Sequence, residues 1–222
     1  MRFNYNDYSA IIFDCDGVIF NSNNLKILAM EETLISLGVS ELETEKCIHY
    51  FANNFGKSRF HHVNVFIERF IDGLCSTELN SLKDEILQNY SSKCFDLYMK
   101  SELTPGFIDF MDEIVVKCFI ASGSEEIELR NVIEARGLMS YFCEVYGSPK
   151  SKNDIVSDIL ETVGNNNCLM IGDAISDLNA ALVNEIDFVA YTPYSNVKAE
   201  LIDKTIQHNF KVVSSWNEFN EV

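Results

Sequence analysis

Four short segments of this sequence carry side chains that can do chemistry together: Asp14-Cys15-Asp16-Gly17, Ala121-Ser122-Gly123-Ser124, Ser148-Pro149-Lys150-Ser151-Lys152 and Gly172-Asp173-Ala174-Ile175-Ser176-Asp177. Gathered in one crevice, they would place two acids, a hydroxyl, an ammonium and two more acids side by side. Like-charged carboxylates packed together repel, and a hard divalent cation bound through oxygen is the simplest relief. Mg²⁺ is the expected ion, because it takes only one or two carboxylates and completes its octahedron with water and a substrate phosphate.

The elements that would gather these segments are legible as apolar runs. Residues 10–13 (Ala-Ile-Ile-Phe) end in the first pair of acids. Residues 118–121 precede Ser122, residues 168–171 precede Gly172-Asp173, residues 188–191 precede Thr192-Pro193, and a weaker run at 143–146 precedes Gly147. Short apolar runs that deliver polar groups at one end read as buried parallel strands. Helical periodicity fills the gaps, as in 107–117 and in 125–136, which Gly137 closes. Alternating strands and helices predict an α/β fold with a doubly wound parallel sheet, whose strand ends converge on one ligand crevice.

Residues 21–100 interrupt this rhythm with helical periodicity alone, which predicts a separate helical insert. One helix spans 25–37 before Gly38, and Ser40-Glu41-Leu42-Glu43 reads as a capping box opening a second. Stretches 58–70 and 82–99 supply two more, and Thr104-Pro105-Gly106 marks the return to the α/β part. The insert holds 8 basic and 11 acidic residues, net −3, which leaves −14 elsewhere. Between Glu45 and Glu68 it contains no acid, yet it carries Lys46, Lys57, Arg59, His49, His61 and His62 there. An ordinary solvated helix face is the plain reading of this island, and an anion-recognition surface is the sharper one.

Taken in order, these motifs resemble the haloacid dehalogenase superfamily, specifically its phosphotransferase members with a helical cap of the C1 type inserted after the first strand. They are similar to phosphoglycolate phosphatases and β-phosphoglucomutase-like proteins. Asp14-Cys15-Asp16-Gly17-Val18 looks like that family's DxDG[TV] motif, Ser122 like its strand-end Ser or Thr, and Gly172, Asp173 and Asp177 like its GDxxxD. The third motif is a lysine, for which Lys152 is favoured over Lys150 because its spacing to Ile155 resembles the family form.

The resemblance implies a core of residues 1–20 and 101–222 and a cap of 21–100. It also implies roles for single residues. Asp14 is the nucleophile, Asp16 the general acid and base, and Ser122, Gly123 and Lys152 meet the transferring phosphoryl group. Mg²⁺ is held by Asp14, Asp173, Asp177 and the Asp16 backbone carbonyl. The expected activity is hydrolysis of a small organic phosphate, such as a sugar phosphate or a phosphoglycolate-like acid, whose far end Lys57 and Arg59 grip.

Competing signals point elsewhere less well. Gly56-Lys57-Ser58 ends like a P-loop, but Phe51 stands where GxxxxGK[ST] needs glycine. Adjacent His61 and His62 lack the i, i+4 spacing of a zinc pair. Asp16 argues against a dehalogenase, since halide departs without a proton. A β-phosphoglucomutase-type mutase is the nearest alternative, but Lys26 stands where such mutases carry a cap histidine. A phosphonatase would need an imine-forming cap lysine, which Lys26, Lys46 or Lys57 could supply. A non-catalytic phosphate-binding regulator would tolerate loss of Asp14 or Asp16, and both are present.

Composition sets the outer bounds. The chain has 222 residues, 47% hydrophobic and 23% charged, enough for one large domain or a medium one with a smaller attachment. A net charge of −17 disfavours nucleic acid and anionic membranes as partners. Seven cysteines, an odd number and never closer than 19 residues apart, contain no CxxC pair and suggest a reduced cytoplasmic setting. The N-terminal residues show no signal-peptide pattern, and no apolar run approaches the ~18–20 residues that span a bilayer. The partner expected is a small phosphate ester, for a monomer or homodimer.

Overall fold

The computed structural model describes residues 4–219. Residues 1–3, on which the reading of the N-terminus partly rests, lie outside that range. Six parallel strands form one sheet: β1 (Ala10–Phe13), β2 (Lys117–Glu125), β3 (Glu144–Ser148), β4 (Cys168–Gly172), β5 (Asp187–Tyr191) and β6 (Lys211–Val213). Their order is β3-β2-β1-β4-β5-β6. The chain therefore reverses its direction of travel across the sheet between β1 and β4, and the crevice at such a switch point is where ligands bind in open α/β sheets.

Register brings the chemical segments level. Phe13 lies opposite Ile120 on β2 and Ile171 on β4, so the residues that follow all three leave the sheet together. The Asp14 N–H continues the ladder by donating to the Ile171 carbonyl at 2.9 Å. β2 pairs irregularly with β3 between Ala121 and Glu125, where Ser122 to Ser124 lie, and such an irregularity re-aims side chains beside a site.

Alternation along β1 divides the core. Ile11 and Phe13 pack on one face with Phe107, Phe110 and Trp216, and Ala10 and Ile12 pack on the other with Ile155, Ile159 and Leu178. The helices concerned are α5 (Phe107–Glu113) on the first face, and α7 (Lys152–Val163) and α8 (Ile175–Val183) on the second, with α6 (Glu126–Ala135) and α9 (Lys198–Gln207) completing the two layers. Burial of both faces is why these strands are apolar throughout rather than alternating with polar residues.

Four helices stand between β1 and α5: α1 (Asn23–Ser36), α2 (Glu41–Asn53), α3 (Arg59–Arg69) and α4 (Ser76–Lys100). They are the inserted helical cap. The capping box at Ser40 and Glu43 is formed, and Ser58 caps α3 by accepting from the His61 N–H. α4 begins six residues before the apolar pattern at 82 does, because the Glu78 carboxylate accepts from the Cys75 N–H at 2.8 Å and starts the helix early. α5 stops at Glu113, short of the expected 117, where the β-branched Ile114, Val115 and Val116 lead into β2. β6 is three residues long and lacks an apolar run, so periodicity does not announce it. No helix among the described residues is long and apolar enough to cross a membrane.

Candidate active site

Asp14 leaves β1 almost fully buried, and its Oδ1 accepts from Lys152 Nζ at 2.7 Å. Lys152 opens α7 behind its N-cap Ser151, a position that points its side chain back toward the strand ends, and the same ammonium also bonds Asp177. Lys150, the alternative lysine, is exposed and paired with Asp158. In the first turn of α8, Asp177 Oδ2 accepts the backbone N–H of Asp173 at 3.1 Å and of Ala174 at 3.0 Å.

Oxygens of Asp14, Asp173 and Asp177 lie within 4.8 Å of one another, all buried. Lys152 is the one cation bonded to this trio among the described residues, so negative charge exceeds positive in a water-poor place. Burial, then the charges of Asp14 and Asp177, push the Asp173 carboxyl well above its usual range. Burial and the Asp177 charge raise Asp14 as well, against the pull of Lys152. Burial opposes the Lys152 ammonium, but Asp14 and Asp177 outweigh it and hold the proton on. Three hard oxygen donors with one compensating charge are a donor set that suits Mg²⁺.

Asp16 has different company. Lys26 donates to its Oδ2 at 2.5 Å, Ser22 to its Oδ1 at 2.5 Å, Tyr98 to both oxygens at 2.9 Å, and Ser124 to Oδ2 at 3.1 Å. Burial works against ionisation here, yet the Lys26 charge and these donors win and hold the carboxyl below its usual range. Ser22, Lys26 and Tyr98 all belong to the stretch between β1 and α5. Asn23 comes from there too, and its Nδ2 donates to Asp173 Oδ2 at 2.7 Å.

Gly17 explains how the cap comes so close. Its φ of +77° favours glycine, and a Cβ there would stand 2.2 Å from Asp173 Oδ2 and 2.5 Å from Asn23 Nδ2. A second close approach lies at Gly123, where a Cβ would meet the Gly56 carbonyl oxygen at 2.6 Å. Ser176 Oγ donates to the Phe55 carbonyl at 3.0 Å, so the loop joining α2 to α3 rests on the ends of both β2 and β4.

Between cap and core remains a cavity of about 30 Å³, lined by Asp14, Asp16, Lys26, Arg59, His62 and Gly123 among others. Lys57 lines it as well, exposed at its mouth, with Nζ donating to Asn54 Oδ1 at 3.1 Å. Arg59 is buried, and its guanidinium is committed to Glu128 of α6 through two bonds of 3.0 and 2.6 Å. Ser122 is buried at the turn of β2 with its Oγ accepting from the Ser124 N–H at 3.1 Å.

The structure thus brings Asp14, Asp173, Asp177 and Lys152 into one cluster with Asp16 beside it, and it places Lys57 and Arg59 in the cavity wall, Arg59 with its charge already matched. Ser22, Asn23 and Tyr98 belong to no motif in the sequence, Ser124 stands there only as the end of the 121–124 segment, and Lys26 reads there as a candidate imine-forming group and as the residue in place of a mutase's cap histidine. A hydroxyl, amide or lysine carries no sequence signal for facing a carboxylate in another element.

The family model for haloacid dehalogenase-like hydrolases matches residues 11–191. The chain belongs to this family. Among solved structures, the fold of this hydrolase resembles a haloacid dehalogenase-like hydrolase of Streptococcus pneumoniae, at 18% identity and TM-score 0.71, covering 95% of this chain and 96% of that one. It also resembles a predicted phosphoglycolate phosphatase of Haemophilus somnus, at 15% identity and TM-score 0.75 over 96% and 97% of the two chains. A predicted phosphatase of Clostridium acetobutylicum is similar at 16% identity and TM-score 0.72, again over 96% and 97%. At such identities the likeness speaks to the fold. Among curated proteins, none matches the sequence.

Proposed function

We propose that this hydrolase cleaves phosphate monoesters of small organic molecules, carrying the phosphoryl group on Asp14 between two displacements. The observation that supports this most is the Asp14 carboxylate, fixed by Lys152 inside a buried trio of acids. In the first displacement an Asp14 oxygen attacks phosphorus and the ester oxygen departs with a proton from Asp16. In the second, water attacks phosphorus, gives a proton to Asp16, and Asp14 leaves as a carboxylate. Lys152 balances charge on Asp14 and the phosphoryl group, while the Ser122 hydroxyl and the Gly123 backbone hydrogen-bond its oxygens. Bound by Asp14, Asp173, Asp177 and the Asp16 carbonyl, Mg²⁺ would supply the further positive charge that phosphoryl transfer requires.

Both Asp16 oxygens are taken up by donors, so substrate entry has to draw part of that cage away before the carboxyl can hold a proton. The space left beside Asp14 and Asp16, about 30 Å³, is narrow. Residues 21–100 therefore act as a cap that opens about the segments 20–24 and 100–104 to load substrate and closes again to exclude water. Sugar phosphates and phosphoglycolate-like acids are the candidate substrates, the second also because a structural neighbour is described as a predicted phosphoglycolate phosphatase. In the sequence soon after Asp14-Cys15-Asp16-Gly17-Val18, where mutases of this type carry a cap histidine, Lys26 stands instead, which favours water over a sugar hydroxyl as the acceptor.

Phosphate release from a panel of monoesters, including an aryl phosphate, tests the reading. Turnover is expected with Mg²⁺, is lost in EDTA, and falls at least about 1,000-fold in Asp14→Asn, as expected for removal of a covalent nucleophile. Turnover that persists in Asp14→Asn, or no release from any ester, would sink the proposal.

A further inference from the structure

His62 lies in α3, only 1% exposed, in the wall of the cavity that also holds Asp14 and Asp16. Its ring packs edge-on against Phe51 at 4.7 Å and against Tyr50 at 5.9 Å. Its Nδ1 is buried without a hydrogen-bond partner. An unpaired polar nitrogen in such a place is destabilising, and phenylalanine or leucine in the same aromatic nest would avoid that cost. Burial, then the nearby His61, Lys57 and Lys26, press the imidazole down to about 3, with the Lys57 carbonyl pulling the other way as the smallest influence. The ring is therefore neutral at physiological pH.

Three of the four cations around it are already matched. Lys26 is held by Asp16, Lys152 by Asp14 and Asp177, and Arg59 by Glu128. Lys57, at the mouth, is the one cation of the cavity wall whose charge meets no carboxylate among the described residues. A second anionic group on a substrate would thus find little unspent positive charge inside. A hydroxyl suits the neutral imidazole whichever nitrogen carries the proton, since a hydroxyl both donates and accepts, whereas a carboxylate or phosphate only accepts.

We propose that His62 is a specificity-determining residue of this cavity: its unpartnered Nδ1 hydrogen-bonds a hydroxyl on the non-reacting part of the ester. The enzyme then selects hydroxylated alkyl phosphates over their deoxy analogues and over esters that end in a second anion. This rests on the phosphomonoesterase reading, from which it can fail separately. Because His62 belongs to the cap, recognition of the hydroxyl also helps bring the cap down on a correct substrate.

The test compares polyol phosphates of three to six carbons, each with its deoxy analogue (glycerol 3-phosphate with propyl phosphate, for example), and 2-phosphoglycolate. The best hydroxylated ester is expected to exceed its deoxy partner in kcat/KM by about 10-fold or more. His62→Leu should erase that ratio by slowing the hydroxylated ester while leaving the deoxy ester within about 3-fold of wild type. His62→Asn, which restores a polar group near the Nδ1 position, should regain part of it. Equal rates for each pair in the wild type, or a preference that His62→Leu leaves intact, overturn the inference while leaving the hydrolase reading standing. Faster turnover of 2-phosphoglycolate than of every hydroxylated ester also overturns it. No turnover of any ester would instead strike the hydrolase reading first, and the inference with it.

Discussion

Asp14 and Asp16 are two residues apart and live in opposite electrostatic settings. Asp14 shares one ammonium with Asp177 and is pushed up, whereas Asp16 is saturated by donors and held down. Divergent environments for neighbouring carboxyls are how one site assigns different tasks to the same residue type. The ion pair between Lys26 and Asp16 is nearly buried on both sides, at 8% and 10% side-chain exposure. Removing either partner from such a pair typically costs about 3–5 kcal/mol, while removing both costs less. Lys26→Met and Asp16→Asn are thus each expected to lower stability in urea unfolding, and the double variant to be more stable than the sum of the two losses allows by at least about 1 kcal/mol. Strict additivity would mean that the pair contributes nothing. At this scale the sequence was informative where spacing is local: Asp14 with Asp16, and Asp173 with Asp177, read directly as pairs that the fold brings into one place. It does not reveal that Lys26, Ser22 and Tyr98 face Asp16, because the facing of these side chains depends on how the cap docks and not on their neighbours in the chain.

Among elements, an ion pair links α3 of the cap to α6 of the core. Arg59 carries its charge from one layer to the other, is 6% exposed, lies 5.4 Å over the Tyr90 ring, and forks onto Glu128, to which Ser91 of α4 also donates. Cap helices α3 and α4 thus grip the same core carboxylate. Glu128→Ala leaves a buried guanidinium without its counter-charge, so its cost should fall at or just below the lower limit for a broken buried pair, about 2–3 kcal/mol, given that Glu128 itself is 27% exposed. The same variant should loosen the cap and raise KM for any substrate that fills the cavity. Unchanged unfolding together with unchanged KM would show the fork to be incidental. The strands β1, β4 and β5 could be read in sequence to within a residue, because burial on both faces demands continuous apolar runs. The start of α4 and the whole of β6 could not, since the first depends on one carboxylate-to-backbone bond and the second on pairing to β5 rather than on its own composition.

For the whole molecule, a net charge of −17 in which the cap carries only −3 concentrates repulsion in the α/β part, and the acid trio is where that charge is most confined. Protonation therefore couples to folding in a predictable direction. Asp14 and Asp173 bind protons more tightly folded than unfolded, Asp14 being raised to about 7 by burial first and the Asp177 charge second. Stability from a raised carboxyl is complete below its unfolded value near 4 and is lost as pH rises through the folded one. Asp16 runs the other way: its contribution is present above about pH 4 and is lost only on further acidification, outside the same window. Metal-free protein should accordingly melt lower at about pH 8 than at about pH 5. A divalent cation that occupies the trio removes the repulsion only when the carboxylates are ionised, because protons and metal compete for the same oxygens. Saturating Mg²⁺ is thus expected to raise Tm more at about pH 8 than at about pH 5, and Asp173→Asn to shrink that difference. Thermal melts at the two pH values, with and without Mg²⁺, decide the matter: an equal gain at both, or one that Asp173→Asn leaves intact, would place the ion away from these three acids.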